Sequence, residues 1–192
     1  MLPARACPSA SMAARAKKSR RTLAQLLSGG GRRSVGRSNV VADQLSHSPS
    51  LAAESVNCLF DKDPRVRMRA ADALEKASAQ NPKMLYRYKA ELLGLLYEEQ
   101  QKEVRWHLAQ MVPRLRLAPA ERGRANAALR EYLSDSSSIV RTFAMQALAE
   151  LAGDCAKDRE EIRELIRSLA RSGTPAMRAR GRKLLAHLEK QS

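Results

Sequence analysis

Apolar residues recur along this chain at helical spacing, and four stretches share a single register. Each is marked by an apolar residue followed by arginine: Val66-Arg67, Val104-Arg105, Val140-Arg141 and Met177-Arg178. The marks lie 38, 36 and 37 residues apart. Four positions after each mark stand Ala70, Leu108, Ala144 and Gly181, and seven after it Ala73, Met111, Ala147 and Leu184. Eight positions after it stand Leu74, Val112, Leu148 and Leu185, and eleven after it Ala77, Leu115, Leu151 and Leu188. These offsets trace one face of an α-helix. The pattern therefore predicts four helices in register, and a fixed period of this length predicts stacked repeats.

A second apolar-periodic stretch precedes each of these helices, at Leu51–Phe60, Met84–Tyr97, Ala127–Leu133 and Ile162–Ala170. Eleven positions before each mark stand Ser55, Leu93, Leu129 and Ile166, and seven before it Leu59, Tyr97, Leu133 and Ala170. Each unit thus reads as helix, short turn, helix. Asp63-Pro64, Asn81-Pro82 and Thr174-Pro175 place an N-cap side chain before a proline at the first helical position. Alternating β-branched runs are missing, and the abundant Ala, Leu and Arg favour helix. The expectation is an all-α chain. Residues 22–46 read as a lead-in, with a short helix at Thr22–Leu27, a linker at Gly29–Gly31 and a second helix capped by Ser38. Residues 1–21 read as a disordered arm.

The repeating segments resemble HEAT repeats over residues 47–190, and the chain resembles small HEAT-repeat proteins that have no assigned activity. The resemblance implies a right-handed α-solenoid of about four hairpins, at residues 47–81, 82–118, 119–154 and 155–192. That family carries an acid in the turn and an arginine early in the second helix. Here Asp61, Glu99 and Asp135 stand six residues before Arg67, Arg105 and Arg141, and are expected to form a structural ladder with them. The fourth unit has Ser172 in that place, which on this reading leaves Arg178 without its local acid.

Charge divides the chain. The net charge is +15, and residues 1–42 hold nine basic residues and no acid before Asp43. The last repeat is also basic, while the middle is nearly neutral. A basic arm favours polyanions or an acidic partner surface, or serves only as a solubilising tail. Translation starting at Met12 would shorten it, and its Arg-, Ala- and Ser-rich character also matches a transit peptide. Cys7, Cys58 and Cys155 form neither a disulfide framework nor a metal cluster, and Cys58 falls on an apolar face. No apolar run approaches the length of a membrane span. A cytoplasmic protein without membrane contact is expected.

Catalytic patterns are scarce. His47, His107 and His187 lack the His-Glu pairing of the metal-binding HEAT enzymes, and no Cys-x-x-Cys, phosphate loop or nucleophile elbow occurs. No catalytic residue, metal, cofactor or small-molecule substrate is therefore expected. Positions two and six after each mark point away from the predicted core. They and their neighbours supply a candidate partner surface of Met68, Trp106, His107, Gln110, Thr142 and Gln146. Trp106, the one tryptophan, either anchors a partner or packs on a neighbouring helix. The leading expectation is a scaffold that binds a protein, with its oligomeric state open. A second is a nucleic-acid-associated protein that grips phosphates through Lys17, Lys18, Arg20, Arg21, Arg178, Arg182 and Lys183. A third, resembling the alkylpurine DNA glycosylases, would need Asp72 beside Trp106 as its reactive pair.

Overall fold

The computed structural model describes residues 22–152 and 156–190, apart from 30, 32, 33 and 35. The basic arm, with Lys17, Lys18, Arg20 and Arg21, lies outside the described residues, as do Cys7 and Cys155. Two short lead-in helices come first, α1 (Leu23–Ser28) and α2 (Ser38–His47). The first two hairpins follow as α3 (Ala52–Asn57) with α4 (Pro64–Gln80), and α5 (Lys89–Glu98) with α6 (Lys102–Met111). The last two are α7 (Pro119–Tyr132) with α8 (Ser138–Leu151), and α9 (Ala156–Ser172) with α10 (Pro175–Glu189). No strand occurs among the described residues. The protein is an α-solenoid.

Its second helices form a row in which α4 packs on α6, α6 on α8 and α8 on α10. The register read from the sequence is the register of the core. Val66, Ala70, Ala73, Leu74 and Ala77 are buried, as are Val104, Leu108, Met111, Val112 and Leu115. So are Val140, Ala144, Ala147, Leu148 and Leu151, whereas the last helix buries Met177, Gly181 and Leu188 and leaves Leu184 and Leu185 half-buried. A Cβ on Gly181 would stand 2.8 Å from the Cβ of Ala170, so this glycine sets the close approach of α9 to α10. Ser55, Leu93, Leu129 and Ile166 are buried across the first helices. Tyr97 departs from the pattern: it is exposed, and its hydroxyl donates to the Arg124 carbonyl at 2.6 Å.

Capping follows the sequence at two of three turns. Asp63 accepts from the Arg65 N–H and Thr174 from the Met177 N–H. The Arg65 guanidinium also bonds Asp63 and holds its carboxyl down near a pKa of about 2. Asn81 makes no capping bond, and Pro82–Tyr88 runs as a 3-10 segment before α5. Cys58 is a core residue, and burial pushes its thiol up to about 11.

The lead-in proves to be an additional layer. Helix α2 packs along α4 as each second helix packs along the next, burying Ser38, Val41, Ala42 and Leu45. Ser38 is not the cap; Arg37 holds that position without a side-chain bond. What seals this layer is Arg69, which is wholly buried. Its guanidinium donates to the carbonyls of Leu27, Gly29, Gly31 and Ser34, at 2.5, 2.6, 2.7 and 3.1 Å. These carbonyls belong to the last turn of α1 and the chain leaving it, so a fixed cation meets acceptors that the helix itself leaves unpaired at its C-terminus, while Gly31 also accepts the Ser34 N–H at 3.1 Å. Gly36 passes against this group with φ +56, and a Cβ there would lie 2.7 Å from Arg69 Nε.

The acid–arginine ladder runs between repeats rather than within them. Arg67 Nε lies 3.5 Å from Glu99 Oε2, and Arg105 Nη1 pairs with Asp135 Oδ2. Within its own hairpin Arg67 donates only to the Asp61 backbone carbonyl, at 3.0 Å. The Arg105 guanidinium also lies 3.9 Å over the buried Tyr132 ring, whose hydroxyl donates to the Leu96 carbonyl. Burial pushes that hydroxyl up to about 12. Because each acid serves the preceding arginine, Ser172 deprives Arg141 of its partner, not Arg178.

Two expectations follow. Arg69→Met leaves the buried Leu27 carbonyl without this donor and removes the cation that gathers the segment after α1, and should cost about 3 kcal/mol in urea unfolding; Gly36→Ala should destabilise, whereas Gly29→Ala, with open space around it, should not. Arg105→Ala should cost about 1–3 kcal/mol, and Arg141→Ala less, because only the former breaks an ion pair. Equal melting losses for these two would contradict the inter-repeat ladder.

Candidate partner-binding surface

A helix in the middle of the row has neighbours on three sides: its hairpin partner and the second helices before and after it. It therefore buries a second face that the simple amphipathic pattern does not show. Three positions after each mark, Arg69 and His107 are buried and Phe143 and Arg180 half-buried. Two positions after it, Thr142 is buried, Met68 and Trp106 are half-buried, and Ala179 is exposed. His107 and Thr142, expected on the surface, thus belong to the contacts between layers. Thr142 donates its hydroxyl to the Ser138 carbonyl at 2.6 Å.

Asp72 organises this second face. Its Oδ2 accepts from Ser38 Oγ at 2.5 Å and from Lys76 Nζ at 2.7 Å, and its Oδ1 lies 3.8 Å from His107 Nε2. Lys76 reaches on to Asn39 Oδ1 at 2.6 Å. One carboxylate so bonds α2 and its own helix α4 through Oδ2 and faces the α6 imidazole with Oδ1, an arrangement that differs from a reactive pair beside Trp106. Burial holds the His107 imidazole down near a pKa of about 4, outweighing the pull of Asp72 and Glu75 toward the charged form. Arg114 ties the far end of α4, donating to the Glu75 carbonyl and carboxylate and to Ser78. Hydropathy periodicity could not reveal Arg69, Asp72 or Arg114, because charged residues at these offsets read as solvated. The one cue was Gly29–Gly31, a run that offers carbonyls without side chains to cover them.

What remains outward is a narrow strip along α4, α6 and α8. Met68 and Trp106 lie on it half-buried, and the Trp106 ring meets His107 edge to face with centroids 5.5 Å apart. Gln110 Nε2 donates to the Trp106 carbonyl at 3.3 Å. On α8, Phe143 is half-buried under the Arg180 guanidinium, 5.7 Å from its ring centre, while Ile139 is 45% exposed. Arg180 also donates to Gln146 Oε1, and Gln146 donates to Glu150, each at 2.7 Å. At the end of the row Arg178, Arg182 and Lys183 are exposed, and none forms an ion pair among the described residues. The acids of α9 answer other bases, Glu160 with Arg163, Glu164 with Arg167 and Glu161 with Arg130. An open hollow of about 670 Å³ lies at the other end, lined by Leu23, Leu26, Asp43, His47, Leu51 and Glu54 among others. No group of three metal-ligating side chains occurs among the described residues, and no helix there is long and apolar enough to cross a membrane.

No family model matches the chain, and no curated protein does. Solved structures do match. A designed armadillo repeat protein superimposes with a TM-score of 0.59 at 20% identity, over 86% of this chain and 80% of its own. The crystal structure of an engineered protein gives 0.58 at 18% identity, over 88% and 78%. The fold is an armadillo/HEAT-like helical repeat. Similarity at this level of identity establishes the repeat architecture and leaves function to be argued from the residues.

The buried imidazole makes a pH prediction. His107 is neutral when folded down to about pH 4 but charges near pH 6.5 when unfolded, so the unfolded chain binds the extra proton between these values. Stability should therefore fall as pH drops from 6.5 toward 4, and His107→Gln should remove that share of the loss. Urea titrations at pH 7 and pH 5 on both proteins measure it; identical pH dependence would mean that His107 is not the group responsible.

Proposed function

We propose that this chain is a non-enzymatic scaffold whose second-helix strip binds a protein partner. The observation that supports this reading is that Met68, Trp106 and Phe143 stay half-buried and Ile139 exposed on three consecutive second helices. Large apolar side chains spread over adjacent layers favour an extended polypeptide contact more than a small ligand. Gln110 and Gln146 border the strip and can pair with a partner's backbone. His107 and Thr142 support it from beneath.

Photo-crosslinking tests the proposal directly. A photoreactive amino acid at Gln110 should yield a discrete protein adduct in cells, while the same group at Phe60, exposed in the turn before α4, should not. Equal labelling from both sites would remove the case for the strip.

A second reading rests on the unpaired basic end of the row. Arg178, Arg182 and Lys183, together with Lys17, Lys18, Arg20 and Arg21 of the arm, would hold nucleic-acid phosphates without reading sequence. Fluorescence anisotropy with a labelled duplex decides between the two. Micromolar binding near physiological salt, with a steep salt slope that flattens on Arg178→Gln, Arg182→Gln and Lys183→Gln, would replace the scaffold reading. Binding confined to low salt would retain it.

A further inference from the structure

Several cations of the second hairpin are answered by acids. Lys89 Nζ pairs with Glu121 Oε2 at 2.7 Å, Arg114 with Glu75, and Arg105 with Asp135. Lys83, Arg87 and Arg116 differ. All three are exposed, and none forms a hydrogen bond or ion pair through its side chain among the described residues. They lie in the two connections that join the second hairpin to its neighbours, and the first of these also holds Tyr86 and Tyr88, two of the four tyrosines of the chain. The connections on either side, residues 48–51 and 152–155, contain no base and no aromatic ring.

The first connection is a structured platform. Pro82–Tyr88 runs as a 3-10 segment anchored by the buried Met84 and Leu85. Side chains three apart eclipse in such a helix, which puts Lys83 beside Tyr86. The second connection closes on the first: Lys89 Nζ donates to the Arg116 carbonyl at 3.3 Å, and the Arg116 guanidinium lies 5.1 Å from the Tyr86 ring centre. The Arg87 guanidinium lies 5.5 Å from the ring centre of Tyr88. Both rings are half-buried, and neither hydroxyl is hydrogen-bonded among the described residues. Two guanidiniums are thus seated on anchored rings with their N–H groups uncommitted. One acid stands between Pro82 and Tyr97, the exposed Glu91, so three unpaired cations outweigh it.

We propose that Lys83, Tyr86, Arg87, Tyr88 and Arg116 bind single-stranded nucleic acid. A guanidinium offers paired N–H donors that match phosphate oxygens, and Lys83 adds a further charge. A ring or a guanidinium plane at the surface also accepts an unpaired base by stacking, whereas a duplex keeps its bases inside the helix. An acidic peptide would use the cations and leave the rings idle, so the interleaving of tyrosine with arginine favours the strand. The patch shares no residue with the second-helix strip or with the basic end of the row, and neither of those readings has to hold for it.

The test uses the full chain and a fluorescein-labelled oligouridylate of about 12 nucleotides, read by anisotropy beside a duplex of equal length at the same salt. The strand should bind more tightly than the duplex. Arg87→Gln combined with Arg116→Gln should weaken strand binding about tenfold and duplex binding much less, with Tm unchanged because both side chains are exposed. With 4-thiouridine in the probe, ultraviolet crosslinking and mass spectrometry should place adducts at Tyr86 or Tyr88. Absence of strand binding, or adducts confined to the arm or to α10, would overturn the proposal. An equal loss for strand and duplex would do the same, since it would mean charge without stacking. Polyglutamate displacing the probe as well as unlabelled oligouridylate does would reassign the patch to acidic peptides.

Discussion

A carboxylate with two duties, used twice, ties the middle layers of this solenoid together. Glu99 and Asp135 each stop a turn by taking an N-cap amide with one oxygen, and each receives the arginine of the preceding layer with the other. Local geometry and stacking are thereby coupled: the turn cannot relax without releasing the neighbour, and the neighbour cannot slide without disturbing the turn. An isolated hairpin would expose its apolar face, so the energy of the array resides in such interfaces as much as in the hairpins. The side chains involved are largely shielded, and a shielded pair keeps more of its Coulombic attraction than an exposed one.

The same economy governs the second helices. A helix with neighbours on three sides has little surface to give to solvent, and charged residues are drawn inside where a partner can be found. Arg69 finds four carbonyls of the chain leaving α1; Asp72 finds Ser38, Lys76 and His107. Both sit in the first layers, where Ala70, Ala71, Ala73 and Ala77 leave the row short of apolar bulk. Polar networks take over part of the packing there and fix the lead-in segment as a layer of the stack. Toward α10 the arrangement loosens, with Leu184 and Leu185 half-buried and Arg178, Arg182 and Lys183 facing solvent. A charged outer helix is what an end layer needs, since no further repeat covers it.

The chain by itself determined the helices, their register and the face each turns to its hairpin partner. These depend on the 3.6-residue period and on cap chemistry, both of which are local: Val66 through Ala77 and Val140 through Leu151 announce their buried columns, and Asp63 and Thr174 announce their starts. That the turn acids and the second-helix arginines are candidates to pair was legible, but which acid meets which arginine was not. Spacing along the chain favours the partner six residues away, while in space the next turn brings Glu99 to Arg67 and Asp135 to Arg105. Only the tertiary structure decided which polar residues go inside. An arginine, an aspartate and a histidine look solvated to any pattern of hydropathy, and they become interior groups when a neighbouring layer supplies carbonyls, hydroxyls or counter-charges at the right distance. That supply is set by stacking across 30 or more residues of sequence, a separation at which no local rule of helix formation acts.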